Sequence, residues 1–365
     1  MAGQLMHAGQ ARRNAGLDLI KVIAAFGVVV LHFVGPQAGS GNAVIYLIAA
    51  FSIPVFVMVN GYFVLNKRGE TRGYGCRKAA DLLLLCLLWS VVIWCLFSMA
   101  NQNMGPWGPM GGLYVFFSCS LQRGDASILW FLWMLAGLEL VSPLIKRAAR
   151  KIGLGSIAAL FGVVCLCINI GSCVLEARCG HSIQDVVPQS LRIWTWLFYF
   201  CLGGYLGRSD VKKRTLSQGA VPAGITFLIG SGGLIIWGYG VRWALWGMDK
   251  AEYLYDDPTV ALMAVGLFVF CDVGCARLVE SGHGARCIAK MSSACLGVYV
   301  LQVPMRVVFR HYYLLDNPIL NILLVPFVWG LLLLMTLVLM RLPGFRWLVK
   351  VGLFSRLSTR ETTVS

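Results

Sequence analysis

The chain has 365 residues, 58% of them hydrophobic and only 13% charged, with a mean hydropathy of +0.74. A water-soluble domain carries about 25% charged residues, so the composition excludes one as the bulk of the chain and points to an integral membrane protein. The net charge of +15 does not imply a nucleic-acid partner, because most basic residues fall between apolar runs, where they orient a membrane protein.

In chain order, Met1 to Gly16 is mixed polar, and the first apolar run leads into the next with no small-residue cleavage site. It is therefore expected to be retained as a span. Runs long enough to cross a bilayer core predict spanning helices over 17–36, 43–65, 79–100, 127–145, 154–174, 191–207, 219–241, 258–276, 289–309 and 318–340. Helices are the expected element because every backbone polar group in lipid must be satisfied within its own segment, and the runs are too long for barrel strands. The predicted fold class is all-α, a polytopic integral membrane protein with about ten transmembrane helices. One transmembrane domain is expected over 17–343, between an N-terminal segment, 1–16, and a basic tail, 344–365.

The connections sort by charge. Arg12 and Arg13, Lys67 to Lys78, Lys146 to Lys151, Arg208 to Arg214, Arg277 to Lys290 and Arg341 onward hold most of the Lys and Arg, while acids collect in stretches such as WGMDKAEYLYDD. This asymmetry places both termini in the cytoplasm. The thirteen cysteines have no zinc-like spacing, and no metal site is expected. Cys173 and Cys179 flank a predicted outer connection, where a disulfide is one reading and two free thiols the other.

Three ionisable side chains stand in the first run, GLDLIKVIAAFGVVVLHF: Asp18, Lys21 and His32. Charge near the bilayer centre persists only when it pairs, faces the bundle interior or reaches an interface. Asp18 and Lys21 are three apart on one helix face, and a snorkelling ion pair accounts for both without any function. His32 follows Lys21 by eleven residues, about three turns plus roughly 20°, so the two project the same way about 16 Å apart. Either His32 is a hydrogen-bonded interfacial residue, or it is a titratable base at the far end of a polar stripe. An imidazole with an ordinary pKa near 6.5 suits the second role.

Other polar residues carry similar pairs of readings. Glu139 is a buried hydrogen-bonding group or a functional acid, whereas Asp272 is read as structural. Gln302 bonds either a sugar or another helix, and Arg72, Arg77 and Lys78 either orient the chain or grip phosphates. Asn60, Tyr62, Glu139, Arg192 and Gln302 are candidate acceptor-binding or pore-lining residues.

The stretch LDLIKVIAAFGVVVLH resembles the first-span signature of the membrane-bound acyltransferase family 3, in which Arg or Lys is followed after ten residues by His. Four later stretches fall in the order seen in that family: IPVFVMVNGYFVL at 53–65, ILWFLWMLAGLELVSPLI at 128–145, FYFCLGGYLGR at 198–208 and SSACLGVYVLQ at 292–302. The layout is similar to that of the enterobacterial common antigen O-acetyltransferases within the family. Asn60, Ile128 and Gln302 stand where relatives often have Ser, His and His. The paired arginines before the third span are matched loosely by Arg72, Arg77 and Lys78.

The resemblance implies transfer of an acyl group, usually acetyl from cytoplasmic acetyl-CoA, to a hydroxyl of a cell-surface or lipid-linked glycan at a bacterial cytoplasmic membrane. Acetyl-CoA would be a co-substrate, with no permanently bound cofactor. His32 matches the base of the family, and Lys21, with Asp18 beside it, the basic group that meets the donor. A transporter or flippase for a lipid-linked glycan or small solute is the alternative. It predicts repeat symmetry, which the sequence does not show.

Overall fold

A chain surrounded by lipid has to close its backbone hydrogen bonds inside each segment. The computed structural model describes residues 14–34, 40–67, 73–99, 110–124, 126–247, 250–275, 283–310 and 318–349, and among these every regular element is helical. The first half holds α1 (Ala15–Phe33), α2 (Ser40–Ile48), α3 (Ser52–Asn66), α4 (Tyr74–Met99), α5 (Gly111–Ser120), α6 (Trp130–Ile152) and α7 (Leu154–Cys179). The second half holds α8 (Ile183–Val186), α9 (Ile193–Leu206), α10 (Ser209–Gln218), α11 (Val221–Leu234), α12 (Ala244–Trp246), α13 (Pro258–Val269), α14 (His283–Arg310) and α15 (Pro318–Arg341).

Among the described residues, 8 helices are long and apolar enough to cross a membrane, and Gly111–Ser120, Ile193–Leu206 and Pro258–Gly274 are shorter apolar helices. A helix overlies each apolar run of the sequence. The second run is α2 and α3 joined through a 3-10 turn at Ala49–Phe51. Ser52 Oγ donates to Ala49 O at 2.6 Å there, and Pro54 has no N–H with which to continue the α-helical pattern. Wide π-helical turns at Ile235–Trp243 and Phe270–Cys275 extend α11 and α13.

One expectation changes, and one open pair of readings is decided. The sequence predicts a connection over 101–126, but α5 occupies part of it, because Leu113 to Phe117 is apolar and Phe116 finds a wall. Trp133 Nε1 on α6 donates to Phe116 O at 3.2 Å, and the rings of Phe116 and Trp133 lie 4.7 Å apart. Cys173 and Cys179 are both free and both lie within α7. Six residues along a helix separate their Cα atoms by about 9 Å of rise and turn the side chains apart, so no disulfide can join them.

Hydrogen bonds between helix ends fix the two ends of the bundle. At the basic end, Asn14 at the start of α1, Tyr62 near the end of α3, Lys212 on α10 and Asp272 beyond α13 are joined. At the acidic end, Asp256 accepts from Thr195 Oγ1, from Gln184 Nε2 at 3.3 Å and from Trp194 Nε1 at 3.4 Å.

Between the ends, α3 and α9 cross at very short range. A Cβ on Gly61 would run into the backbone of Phe200, and one on Gly203 into the backbone of Met58. With lipid as solvent, such close small-residue contact is a main source of helix association. This crossing seats Asn60 and Tyr62, the neighbours of Gly61.

Candidate functional site

At the acidic end of α1, His32 stands in the last turn, half-buried. Its Nδ1 meets Gln302 Oε1 of α14 at 2.6 Å. With the carbonyl oxygen as acceptor, Nδ1–H donates, and the neutral ring keeps its lone pair on Nε2. Gln302 is fully buried, and its Nε2 has no hydrogen-bond partner among the described residues. Pro304, inside α14, removes the main-chain donor that would bond Val300 O just before this point. Arg306, one turn past Gln302, lies within electrostatic range of the imidazole. Ile128 is buried on the opposing helix entrance, and its carbonyl accepts from the Tyr299 hydroxyl.

At the basic end, the residues next to the α3–α9 crossing line a cleft of about 430 Å³, walled by Tyr62, Phe63, Asn66, Lys67, Tyr74 and Lys78. Asn66 secures its floor by donating from Nδ2 to Tyr62 O at 3.0 Å and to Gly204 O at 2.9 Å. Four ammonium groups surround the aromatic walls. Lys67 Nζ sits 3.4 Å from the centroid of the Tyr74 ring, and Lys21 Nζ sits 4.8 Å from that of Phe63. Lys78 donates to Glu139 Oε1 and, at 3.2 Å, to Asn60 Oδ1. Lys212 donates to Asp272 Oδ1 at 2.9 Å and to the Tyr62 hydroxyl at 3.4 Å.

Buried carboxylates hold three of these lysines. Asp18 lies 3.7 Å from Lys21 Nζ and accepts from Ser292 Oγ at 2.6 Å. Asp272 accepts from Asn14 Nδ2 at 2.6 Å as well as from Lys212, while Asn14 Oδ1 caps α1 by accepting from Leu17 N. Burial works against the Lys212 ammonium, but its ion pair with Asp272 and its contact with Tyr62 outweigh burial and hold its pKa above the ordinary lysine range. Around the aromatic walls, three ammonium groups are thus paired with buried carboxylates, and the fourth, Lys67, rests on the Tyr74 ring.

The predicted residues therefore separate. Lys21, Asp18, Asn60, Tyr62, Lys78 and Glu139 gather around the cleft, whereas His32 and Gln302 meet at the other end of the bundle. Arg77 is half-buried in the first turn of α4, and Arg72 lies outside the described residues. Arg192 belongs to neither group. It is buried, and its guanidinium donates to Val187 O at 3.0 Å, Glu252 O at 2.6 Å and Gln184 O at 2.7 Å. That arrangement ties the acidic-end connections together and leaves the fork turned to main chain instead of to a pore.

Nor is the face joining Lys21 to His32 polar throughout. Ala25 and Val28 occupy it, at 3% and 1% exposure, so an apolar layer separates the two groups. Sequence reasoning passes over Phe63, Tyr74 and Lys212 as cleft residues. Lys212 sits in a run of basic residues that orientation alone explains, and the aromatics are indistinguishable from interfacial anchors.

Among the described residues, no group of His, Cys, Asp and Glu could hold a metal ion. No curated protein and no solved structure matches the chain. The profile of the acyltransferase 3 family, described as an acyltransferase domain, matches residues 14–342, a range that takes in both ends of the site. The chain belongs to the acyltransferase 3 family, the membrane acyltransferases.

Proposed function

We propose that the protein moves an acetyl group from cytoplasmic acetyl-CoA to a hydroxyl of a cell-surface or lipid-linked glycan across a bacterial cytoplasmic membrane. The observation that carries this reading is His32, whose Nδ1 is committed to Gln302 and whose Nε2 is thereby left as a proton acceptor. In the transfer, Nε2 takes the hydroxyl proton as the acceptor oxygen attacks the thioester carbonyl. The C–S bond then breaks, and the imidazolium returns its proton to the departing thiolate.

The cleft supports the donor assignment. Charge asymmetry favours the cytoplasm for the basic end, where the lysines suit an anionic head and the rings of Tyr62, Phe63 and Tyr74 offer faces to adenine. Mass spectrometry of surface glycans from cells with the wild-type and the His32→Gln protein tests the reading. It expects an acetyl mass increment that only the wild type supports, and identical glycans would defeat it.

Lys21 gives a second test. Lys21→Ala is expected to weaken acetyl-CoA binding by about tenfold, the cost of one charge-assisted contact, while Lys21→Arg retains most of it. Equal donor affinity in all three proteins would assign Lys21 to Asp18 and to helix packing alone.

A further inference from the structure

Asn60 on α3 and Glu139 on α6 share the Lys78 ammonium of α4, which donates to Asn60 Oδ1 at 3.2 Å and to Glu139 Oε1. Because Oδ1 turns to the cation, the Asn60 carboxamide has a fixed sense and its Nδ2 points away. That Nδ2 and the second carboxylate oxygen, Glu139 Oε2, are shielded from solvent and have no hydrogen-bond partner among the described residues. Glu139 is fully buried. Buried polar groups in folded proteins are nearly always bonded, and a strut that merely joined three helices would need neither atom.

The pair offers one donor and one acceptor beside a cleft. An anion is a poor match, since it would meet the Glu139 carboxylate. A secondary amide is complementary, with a carbonyl for Nδ2 and an N–H for Oε2. We propose that Asn60 and Glu139 receive one secondary amide of the pantetheine arm of the donor, an inference that rests on the acyl-CoA reading of the cleft.

The position agrees. Phe63 lines the cleft and lies three residues from Asn60 along α3, which places Asn60 about 4.5 Å deeper. An acyl-CoA carries its amides between its anionic head and its thioester. A head held near Lys67 and Tyr74 therefore sends the amides inward to this pair. Lys78 is both a wall of the cleft and the shared partner, and its side chain is 26% exposed. Access to Oε2 would need only the methylene stem of Lys78 to shift, with its ammonium still on Asn60 Oδ1 and Glu139 Oε1.

The test measures equilibrium binding of two probes to the full-length protein: CoA, and adenosine 3′,5′-bisphosphate, which has the nucleotide head and no arm. Asn60→Asp keeps an oxygen for Lys78 and replaces the Nδ2 donor with an acceptor, whereas Asn60→Ala removes the donor without adding charge. Both variants are expected to lose about tenfold in CoA affinity while binding the bisphosphate as the wild type does. Retained bisphosphate binding also reports that the cleft is folded, and Asn60→Ala decides the matter if the aspartate variant does not fold.

In the wild type, a CoA analogue whose arm amides are replaced by methylenes should bind no tighter than the bisphosphate. Unchanged CoA affinity in a folded Asn60→Ala protein, or full affinity for the methylene analogue, would overturn the amide assignment and leave the donor reading intact. A wild-type protein that binds neither CoA nor the bisphosphate removes the donor reading, and this inference with it.

Discussion

His32→Gln is expected to lower acetyl transfer by about 10² to 10⁴, the usual contribution of a positioned general base, without loss of folded protein. Glutamine is polar and of similar size, and its amide can still reach the Gln302 side chain, but it has no nitrogen able to take a proton. The substitution thus separates proton transfer from hydrogen bonding. Gln302→Leu should act through the imidazole. It leaves Nδ1 without its 2.6 Å acceptor and so frees the ring to adopt the other tautomer. A fall in kcat smaller than that of His32→Gln is expected, with an unchanged KM for acetyl-CoA. Steady-state kinetics in reconstituted vesicles decide both cases. Near-normal turnover by His32→Gln at wild-type expression would make His32 a structural residue.

Gly203→Val is expected to prevent the bundle from assembling, and Gly203→Ala to destabilise it by about 1–3 kcal/mol, the usual range for overpacking. The reason is geometric. The position is packed against the main chain of Met58, which cannot rotate aside as a side chain does, and Gly61 makes the reciprocal contact with Phe200. Because this crossing seats Asn60 and Tyr62, the alanine variant should also lose donor affinity. Gly232, where an added Cβ would meet nothing within 4 Å, supplies the control: Gly232→Ala should melt at or slightly above the wild-type temperature, since alanine is the better helix former. Thermal unfolding of the purified protein measures both. Equal melting of Gly203→Ala and the wild type would refute the packing argument.

Span positions are legible because hydropathy is a local property, and a 20-residue apolar run needs no partner to be recognised. The Lys21–His32 relation is legible for a similar reason: helical periodicity fixes relative direction within one segment. What joins segments is not. Gln302 is 270 residues from His32 in sequence, and nothing in the pattern says that their helices touch. Arg192 illustrates the opposite difficulty. An arginine at the start of an apolar run looks like a ligand-binding group, and only the fold reveals that the main-chain carbonyls of Gln184, Val187 and Glu252 take its donors. The helix Gly111–Ser120 escapes notice because its apolar stretch is too short to stand out within a turn-rich connection.

The layer formed by Ala25 and Val28, buried between Lys21 and His32, bears on electrical insulation. An imidazole at one face and a lysine-lined cleft at the other would make a proton conductor if a file of water joined them. Moving one elementary charge through 100 mV releases about 2.3 kcal/mol, so even a slow leak would drain an energised membrane continuously, whether or not substrate was present. On this face of α1 the buried side chains of Ala25 and Val28 offer such a file no polar step. If the donor is the acyl-CoA proposed above, its arm would also act as a stopper, filling the gap it opens in the layer so that no continuous aqueous thread forms during turnover.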